Sequence, residues 1–398
     1  MLEFIFLKNI NFKNFNLKTT KKLKIPFNKA SFHSDAIKNI QNAIYQGHIS
    51  GDGSYTKKCS ELLEAILKVK RALITTSCTH ALEMAAILLN IRDGDEIIAP
   101  SYTFVSTVNA FVARGAKPIF IDIKMDTLNM NENNIENLIT AKTKAIIPVH
   151  YAGVGCEMDK ILGLSKKYNI PIVEDNAHGL FAKYKDQYLG TFGTFATQSF
   201  HETKNYSCGE GGALLINDNQ YIDRAEIVRE KGTNRKLFHE REVDKYSWQD
   251  IGSSYLPSDI LSAILYPQLN DRKKIQKKRK NVYNYYYNHL TDWAHENQVL
   301  LPVVPDYCEQ SYHMFYMIMP TLKKRNSFLD ILNDAGIKSI FHYVPLHSSK
   351  MGLKFGNKKK KLPVTEKISD CLVRLPFFNN ISKHQLKYIV NIILSCRL

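Results

Sequence analysis

The stretch Lys144–Ala177 reads KAIIPVHYAGVGCEMDKILGLSKKYNIPIVEDNA. It opens on a short apolar run, KAIIPVHY, and closes on another, IPIVEDNA. Between them CEMDKILGLSKKYN carries its apolar residues at helical spacing. Strand, helix and strand in that order predict a parallel pair with a covering helix. The pattern continues outward. HALEMAAILLNI (His80–Ile91) reads as a helix, DEIIAPSYTF (Asp95–Phe104) as a buried strand running into a loop, and AKPIFIDI (Ala116–Ile123) as a further strand. The expected fold is α/β, a mostly parallel sheet flanked by helices. In such sheets ligands lie beyond the carboxyl ends of the strands. That gathers Ser101–Phe104, His150, Glu174–His178 and His201–Lys204 into one neighbourhood.

Beyond about residue 265 the pattern changes. KKIQKKRKNVYNYYYNHL predicts a long helix with a basic and a tyrosine-rich face. HMFYMIM and KSIFHYVPL read as strands with the helical NSFLDILNDAG between them, and KHQLKYIVNIILS as a closing helix. Residues 25–265 are therefore expected to form a large domain and 266–398 a smaller α+β domain. Residues 1–24 read as a loose extension: the apolar block Leu2–Leu7 is short, is broken by Glu3 and has its basic residues after it, unlike a secretory leader.

Hydrophobic residues make up 44% and charged residues 23% of the 398, an ordinary globular balance. The net charge of +16 is spread along the chain; its densest runs, DRKKIQKKRK from Asp271 and NKKKKL from Asn357, read as a solvated helix face and a solvated loop. No aromatic-interleaved basic patch points to nucleic acid, and no apolar run has the length of a membrane span. The seven cysteines are odd in number and contain no CxxC pair, which argues against a disulfide framework or a zinc site and fits a reducing, cytoplasmic setting.

Four short patterns carry candidate chemistry. IPIVEDNAHG delivers Glu174 and Asp175 at a strand end; such acids commonly cap the next turn, but one can also hold a cation such as a pyridinium nitrogen. SFHETKNY places Lys204 just past the strand FATQSF. A lysine there is usually a surface residue, unless a cleft desolvates it for nucleophilic work. GEGG, from Gly209, lets the chain pass close to something. TTSCTHALEMAA sets hydroxyls before a helix, with Ser77 or Thr79 as a cap and the helix start as a phosphate site. Ser199 is a further hydroxyl on the strand before Lys204. Phe104 ends a strand and is either core or a ring for stacking on a flat cofactor.

The order of these patterns resembles the DegT/DnrJ/EryC1/StrS family of sugar aminotransferases, fold-type I enzymes that use pyridoxal 5'-phosphate. The resemblance runs from about Ile25 to the C-terminus. It rests on GDGSYTKKC, TSCTHALEMAA, PSYTFVSTVNAFVARGA, SFHETKNY, GEGGA, REKGTNR and FHYVPLH. It implies that Lys204 is the Schiff-base lysine and the catalytic acid/base, that Asp175 pairs with the pyridine nitrogen, and that His178 stands near the phenolic oxygen. It implies stacking by Phe104 and phosphate binding by Thr79, the His80 amide and Ser199. It also implies a homodimer with shared sites, to which Ser254 and the segment Thr233–Tyr246 contribute from the partner, although the segment also reads as a plain polar loop. Where most of the family has Gly-x-Asn-x-Arg this chain has Gly252-Ser253-Ser254-Tyr255-Leu256, and the glycine run after Lys204 looks one residue short. The resemblance further implies a sugar-nucleotide cleft lined by His342, Tyr343 and His347, a dTDP-4-keto-6-deoxy sugar as acceptor and L-glutamate as donor. No metal is expected. A dehydratase on the same scaffold is disfavoured because those relatives carry histidine at the lysine position. Amination at C3, a gluco epimer at C4 and a non-catalytic binding role are rival readings of the same residues.

Overall fold

The computed structural model describes residues 23–239, 241–356 and 361–397. Most of the N-terminal extension and Asn357–Lys360 of the second lysine run lie outside the described residues. Seven strands build the main sheet: β1 (Arg71–Thr75), β2 (Glu96–Pro100), β3 (Lys117–Ile121), β4 (Thr143–Ile146), β5 (Val173–Asp175), β6 (Phe195–Ser199) and β7 (Gly212–Ile216). β2 pairs in parallel with β3 and β4, and β5 in parallel with β6. Parallel bridges Ile146–Ile172 and Val149–Asp175 join β4 to β5, giving the order β3-β2-β4-β5-β6-β7-β1. Only β7 runs antiparallel to its neighbours in this sheet. Its strands are apolar almost throughout, as strands covered on both faces must be.

Helices α1 (Cys78–Leu88), α2 (Ser106–Val112) and α3 (Met158–Tyr168) occupy the crossovers. α1 is nearly all buried, its Leu82, Ala85, Ala86 and Leu88 packing with Phe111, Val173, Phe195 and Leu214. α4 (Asp259–Asn270) closes another face, packing Leu265 and Leu269 against Leu63, Phe200 and Leu215.

A second core belongs to the C-terminal lobe. α5 (Arg272–Glu296) lays Tyr286, Leu290 and Trp293 against Phe315 and Met317 of the β8 (Tyr316–Ile318) region. β8 pairs antiparallel with β9 (Leu372–Arg374), and α6 (Leu322–Asp334) and α7 (Lys383–Ser395) cover them. α7 begins with a reciprocal cap between Ser382 and Gln385. Ile25 joins this second core: its N–H donates to Gly336 O at 2.9 Å and its carbonyl accepts from Lys338 N–H at 2.9 Å.

Two local expectations change. KSIFHYVPL is not a strand: Ile340 alone bridges, to Arg374. Phe341 and Val344 face solvent, His342 turns inward and Pro345 has no N–H to give a ladder. In the basic run of α5, the lysines are exposed but Arg279 is buried, donating to the carbonyls of Tyr312 (2.8 Å) and His313 (2.5 Å) and to Asn379 Oδ1 (2.8 Å).

Strand alternation separates the two acids at the end of β5. Glu174 is fully buried and accepts from His150 Nε2 (2.9 Å) and from the amides of Gly190 (2.7 Å), Phe192 (2.8 Å) and Gly193 (2.7 Å). It is the anchor of the loop that leads into β6. Replacing it strands three amides and an imidazole in the core. Glu174→Ala is expected to lower stability by about 3 kcal/mol or more, read as a fall in the urea unfolding midpoint; an unchanged midpoint would remove Glu174 from this role.

Candidate active site

Asp175 points the other way, into a cavity of about 630 Å³ between the carboxyl ends of the strands and the C-terminal lobe. Its Oδ2 accepts from Thr107 Oγ1 at 2.7 Å and its Oδ1 from the Ala177 amide at 3.2 Å. Thr107 in turn meets Thr103 Oγ1 at 2.8 Å. A carboxylate held by two hydrogen bonds in a largely water-free place is fixed in direction and ready for a cation.

Lys204 lines the same cavity. β6 ends at Ser199, and a turn closed by the Lys204 amide on His201 O (2.9 Å) brings the side chain inward. Burial pushes its amine down to about 8, with Arg374 adding to the effect, while Cys78 and Asp175 pull the other way. Desolvation therefore outweighs the attraction of the nearby acid.

His178 is buried and stacks on His313, ring centroids 4.2 Å apart and planes 17° from parallel. Burial first, then Lys204 and Arg374, holds His178 well below the usual imidazole range. His313 is held low by burial and by His178. Its Nδ1 meets Asn205 Oδ1 at 2.9 Å, and Asn205 Nδ2 donates to Ser311 O at 2.8 Å. His178 Nδ1 is enclosed and has no hydrogen-bond partner among the described residues.

The start of α1 forms another wall. Ser77 is the cap: its Oγ accepts from the His80 amide at 3.1 Å. That amide is thus engaged inside the chain, and the His80 ring lies away from the cavity, edge-on to Tyr255 at 5.2 Å. Ser77, Cys78 and Thr79 do line the cavity, and the first amides of a helix have no partner within it. Thr79 Oγ1 donates to Ser106 Oγ at 2.8 Å. Gly212 explains how β7 comes so near: a Cβ there would lie 2.3 Å from Ser77 C and 2.4 Å from Cys78 N.

Phe104 stands at the cavity and is 56% exposed, so it is not core. Ser199, His342 and Tyr343 also line the space. His347 does not. Its Nδ1 meets Ser101 Oγ at 2.7 Å and its Nε2 meets Glu366 at 3.2 Å, so it ties the two lobes together. Ser254 lies in a separate cleft with Gly51, Asp52 and Arg229. Of the segment Thr233–Tyr246, Tyr246 is half exposed, and Trp248 just beyond it is largely so.

Among the residues that escaped the sequence reading are Cys78, His313 and Arg374, which line the cavity, and Thr107, which stands behind Asp175. Thr107 had a signal, since it lies one helical turn after Thr103. Arg374 had none: it is a lone cation in the apolar LVRLPFF. Among the described residues no group of three or more metal-binding side chains converges, and no helix is long and apolar enough to cross a membrane.

An amine near neutrality, a fixed carboxylate, an open helix start and an exposed flat ring around one cavity suit a phosphorylated pyridine aldehyde. Comparison with known proteins agrees. Residues 31–394 match the model of the DegT/DnrJ/EryC1/StrS aminotransferase family. An uncharacterised protein of Methanocaldococcus jannaschii is 33% identical over 347 residues, 85% of this chain and 89% of its own. Among solved structures, Spr1654 of Streptococcus pneumoniae, assigned as a sugar aminotransferase and solved in its PLP form, superposes with a TM-score of 0.85 at 25% identity, covering 94% of this chain and 98% of its own. DesV of S. venezuelae, solved with a ketimine intermediate, gives the same values. The chain belongs to the DegT/DnrJ/EryC1/StrS aminotransferase family, sugar aminotransferases that depend on pyridoxal phosphate, and its fold is that of the fold-type I enzymes.

Two outcomes are expected. Because only the neutral amine attacks an aldehyde, uptake of pyridoxal phosphate by the apoenzyme should quicken as pH rises, with a midpoint near 8 in place of the 10.5 of an unburied lysine. Stopped-flow absorbance checks this, and a rate still climbing steeply at pH 10 would contradict it. Asp175→Asn exchanges a charge-assisted bond for a neutral one. It should weaken cofactor binding by about 10- to 100-fold, measured by equilibrium dialysis; unchanged affinity would give the ring nitrogen another partner.

Proposed function

We propose that the chain moves the amino group of L-glutamate to C4 of dTDP-4-dehydro-6-deoxy-D-glucose. The products are dTDP-4-amino-4,6-dideoxy-D-galactose and 2-oxoglutarate. The protein would then act as a dTDP-4-amino-4,6-dideoxygalactose transaminase, supplying a deoxyamino sugar for a surface polysaccharide such as enterobacterial common antigen or a lipopolysaccharide O-antigen. The observation that carries the reaction type is the placement of Lys204 and Asp175 in one cavity, with burial bringing the amine down to about 8. The choice of sugar rests on the run of motifs, GSSYL among them.

Pyridoxal phosphate, when bound, supplies the aldehyde that accepts the amine and a ring that spreads negative charge. Lys204 would hold it, with Asp175 against the ring nitrogen, Phe104 on the ring face, and Thr79, the helix start and Ser199 at the phosphate. His178 would stand beside the ring oxygen, with His313 fixing its plane. Lys204 Nζ takes the α-proton of glutamate in the first half-reaction and returns a proton to sugar C4 in the second. The face from which it delivers decides axial against equatorial, hence galacto against gluco. Thr107 keeps Asp175 aimed. Tyr343 and His342, on the C-terminal lobe side, narrow the space around C4 and limit water. We assign Ser254 and Thr233–Tyr246 to the partner subunit's site in a cytoplasmic homodimer.

Incubation with L-glutamate and the dTDP-4-keto sugar, followed by product NMR, tests this. The expected product bears an axial C4 amine. An equatorial amine or a C3 amine would overturn the assignment of sugar chemistry. Lys204→Ala should cut turnover by at least roughly 10²- to 10⁴-fold, the usual worth of a positioned acid/base. Turnover near the parent's would overturn the role given to Lys204.

A further inference from the structure

Arg374 ends β9 and lines the cavity that holds Lys204. Its side chain makes no hydrogen bond or ion pair with any described residue, and its Nε is enclosed without a partner. Arg279, buried in the same lobe, spends its guanidinium on two carbonyls and an amide oxygen. Arg374 instead lies over the Phe27 ring, 4.7 Å from its centroid. It is also close enough to Lys204, His178 and His342 to weigh on the protonation of each. An enclosed N–H without an acceptor is costly, and a guanidinium offers a planar fork matched to a carboxylate or a phosphate.

We propose that Arg374 binds the α-carboxylate of the amino donor. This deepens the transaminase reading and rests on it. Two anions enter such a site. The α-carboxylate is bonded to the carbon whose proton Lys204 removes, so its partner must lie beside Lys204. A sugar-nucleotide diphosphate hangs from C1, across the ring from C4, so its partner belongs nearer the mouth. Arg374 lines the same cavity as Lys204 and weighs on its amine, with Tyr151, Tyr343 and Tyr102 near the guanidinium. Phe27 covers one side of the fork and leaves its edge as the bonding surface.

The test separates the half-reactions in the holoenzyme. Spectral titration of the bound cofactor gives the Kd for L-glutamate. Stopped-flow gives each half-reaction alone. Arg374→Gln should weaken glutamate binding about 10- to 100-fold, the worth of a charge-assisted pair. It should also reduce the preference for glutamate over 4-aminobutyrate, which lacks the α-carboxylate, by a similar factor. The KM for the dTDP-keto sugar should move less than threefold. Arg374→Lys keeps the charge, guards against a folding defect and should recover part of the loss. If glutamate binding is unchanged and the sugar KM rises, Arg374 reads the diphosphate and the proposal fails. Equal losses for glutamate and 4-aminobutyrate would reduce Arg374 to packing and also overturn it. Failure of the parent enzyme on every dTDP-keto sugar would overturn the sugar assignment alone, because the donor half-reaction is measured without sugar.

Discussion

Thr107 and the Ala177 amide hold the two oxygens of the buried Asp175 carboxylate. Everything else in the cavity is arranged around that charge. Lys204 feels it, yet burial wins and the amine is brought down to about 8. Were the attraction larger than the desolvation, the amine would be locked as an ammonium, unable to attack an aldehyde or take a proton. The two imidazoles beside it, His178 and His313, are held neutral by burial as well. One fixed anion and a set of groups with suppressed positive charge make a place where a cationic ring is welcome.

The sheet explains how these groups meet. β5 and β6 run in parallel, so Asp175 and the turn to Lys204 leave the sheet at the same edge. β7 then returns antiparallel along β6 and passes against the first residues of α1. That approach is closer than any side chain permits, and Gly212 makes it possible. The start of α1, at Ser77 and Cys78, is in this way tied to the strand that follows the lysine. Glu174, one residue before Asp175 and on the opposite face, fixes the loop that leads into β6 with three hydrogen bonds and takes a fourth from His150. Adjacent acids thus serve anchorage and chemistry separately.

The alternation of apolar strands and amphipathic helices was readable along the chain, because burial on both faces leaves a plain apolar run. Lys204, Asp175, His178, Phe104, Thr79 and Ser199 were each nameable from short motifs, and the structure lines one cavity with all six. What could not be read depends on tertiary approach. His347 looks like its neighbours His342 and Tyr343 in FHYVPLH, but only the fold shows it bonded to Ser101. The His80 amide is taken by Ser77, a matter of cap geometry that residue type leaves open. KSIFHYVPL had a strand's composition but pairs only at Ile340, with Arg374. Arg374 sits in an apolar strand with no motif around it, and its isolation becomes visible only when its surroundings are known.

The chemistry rests on the identity of one nucleophile. Reduction of the yellow holoenzyme with borohydride, proteolysis and peptide mass mapping would test it most directly. A pyridoxyl group on the peptide containing Lys204 is the predicted result. The same group on another lysine, or no covalent adduct at all, would contradict it.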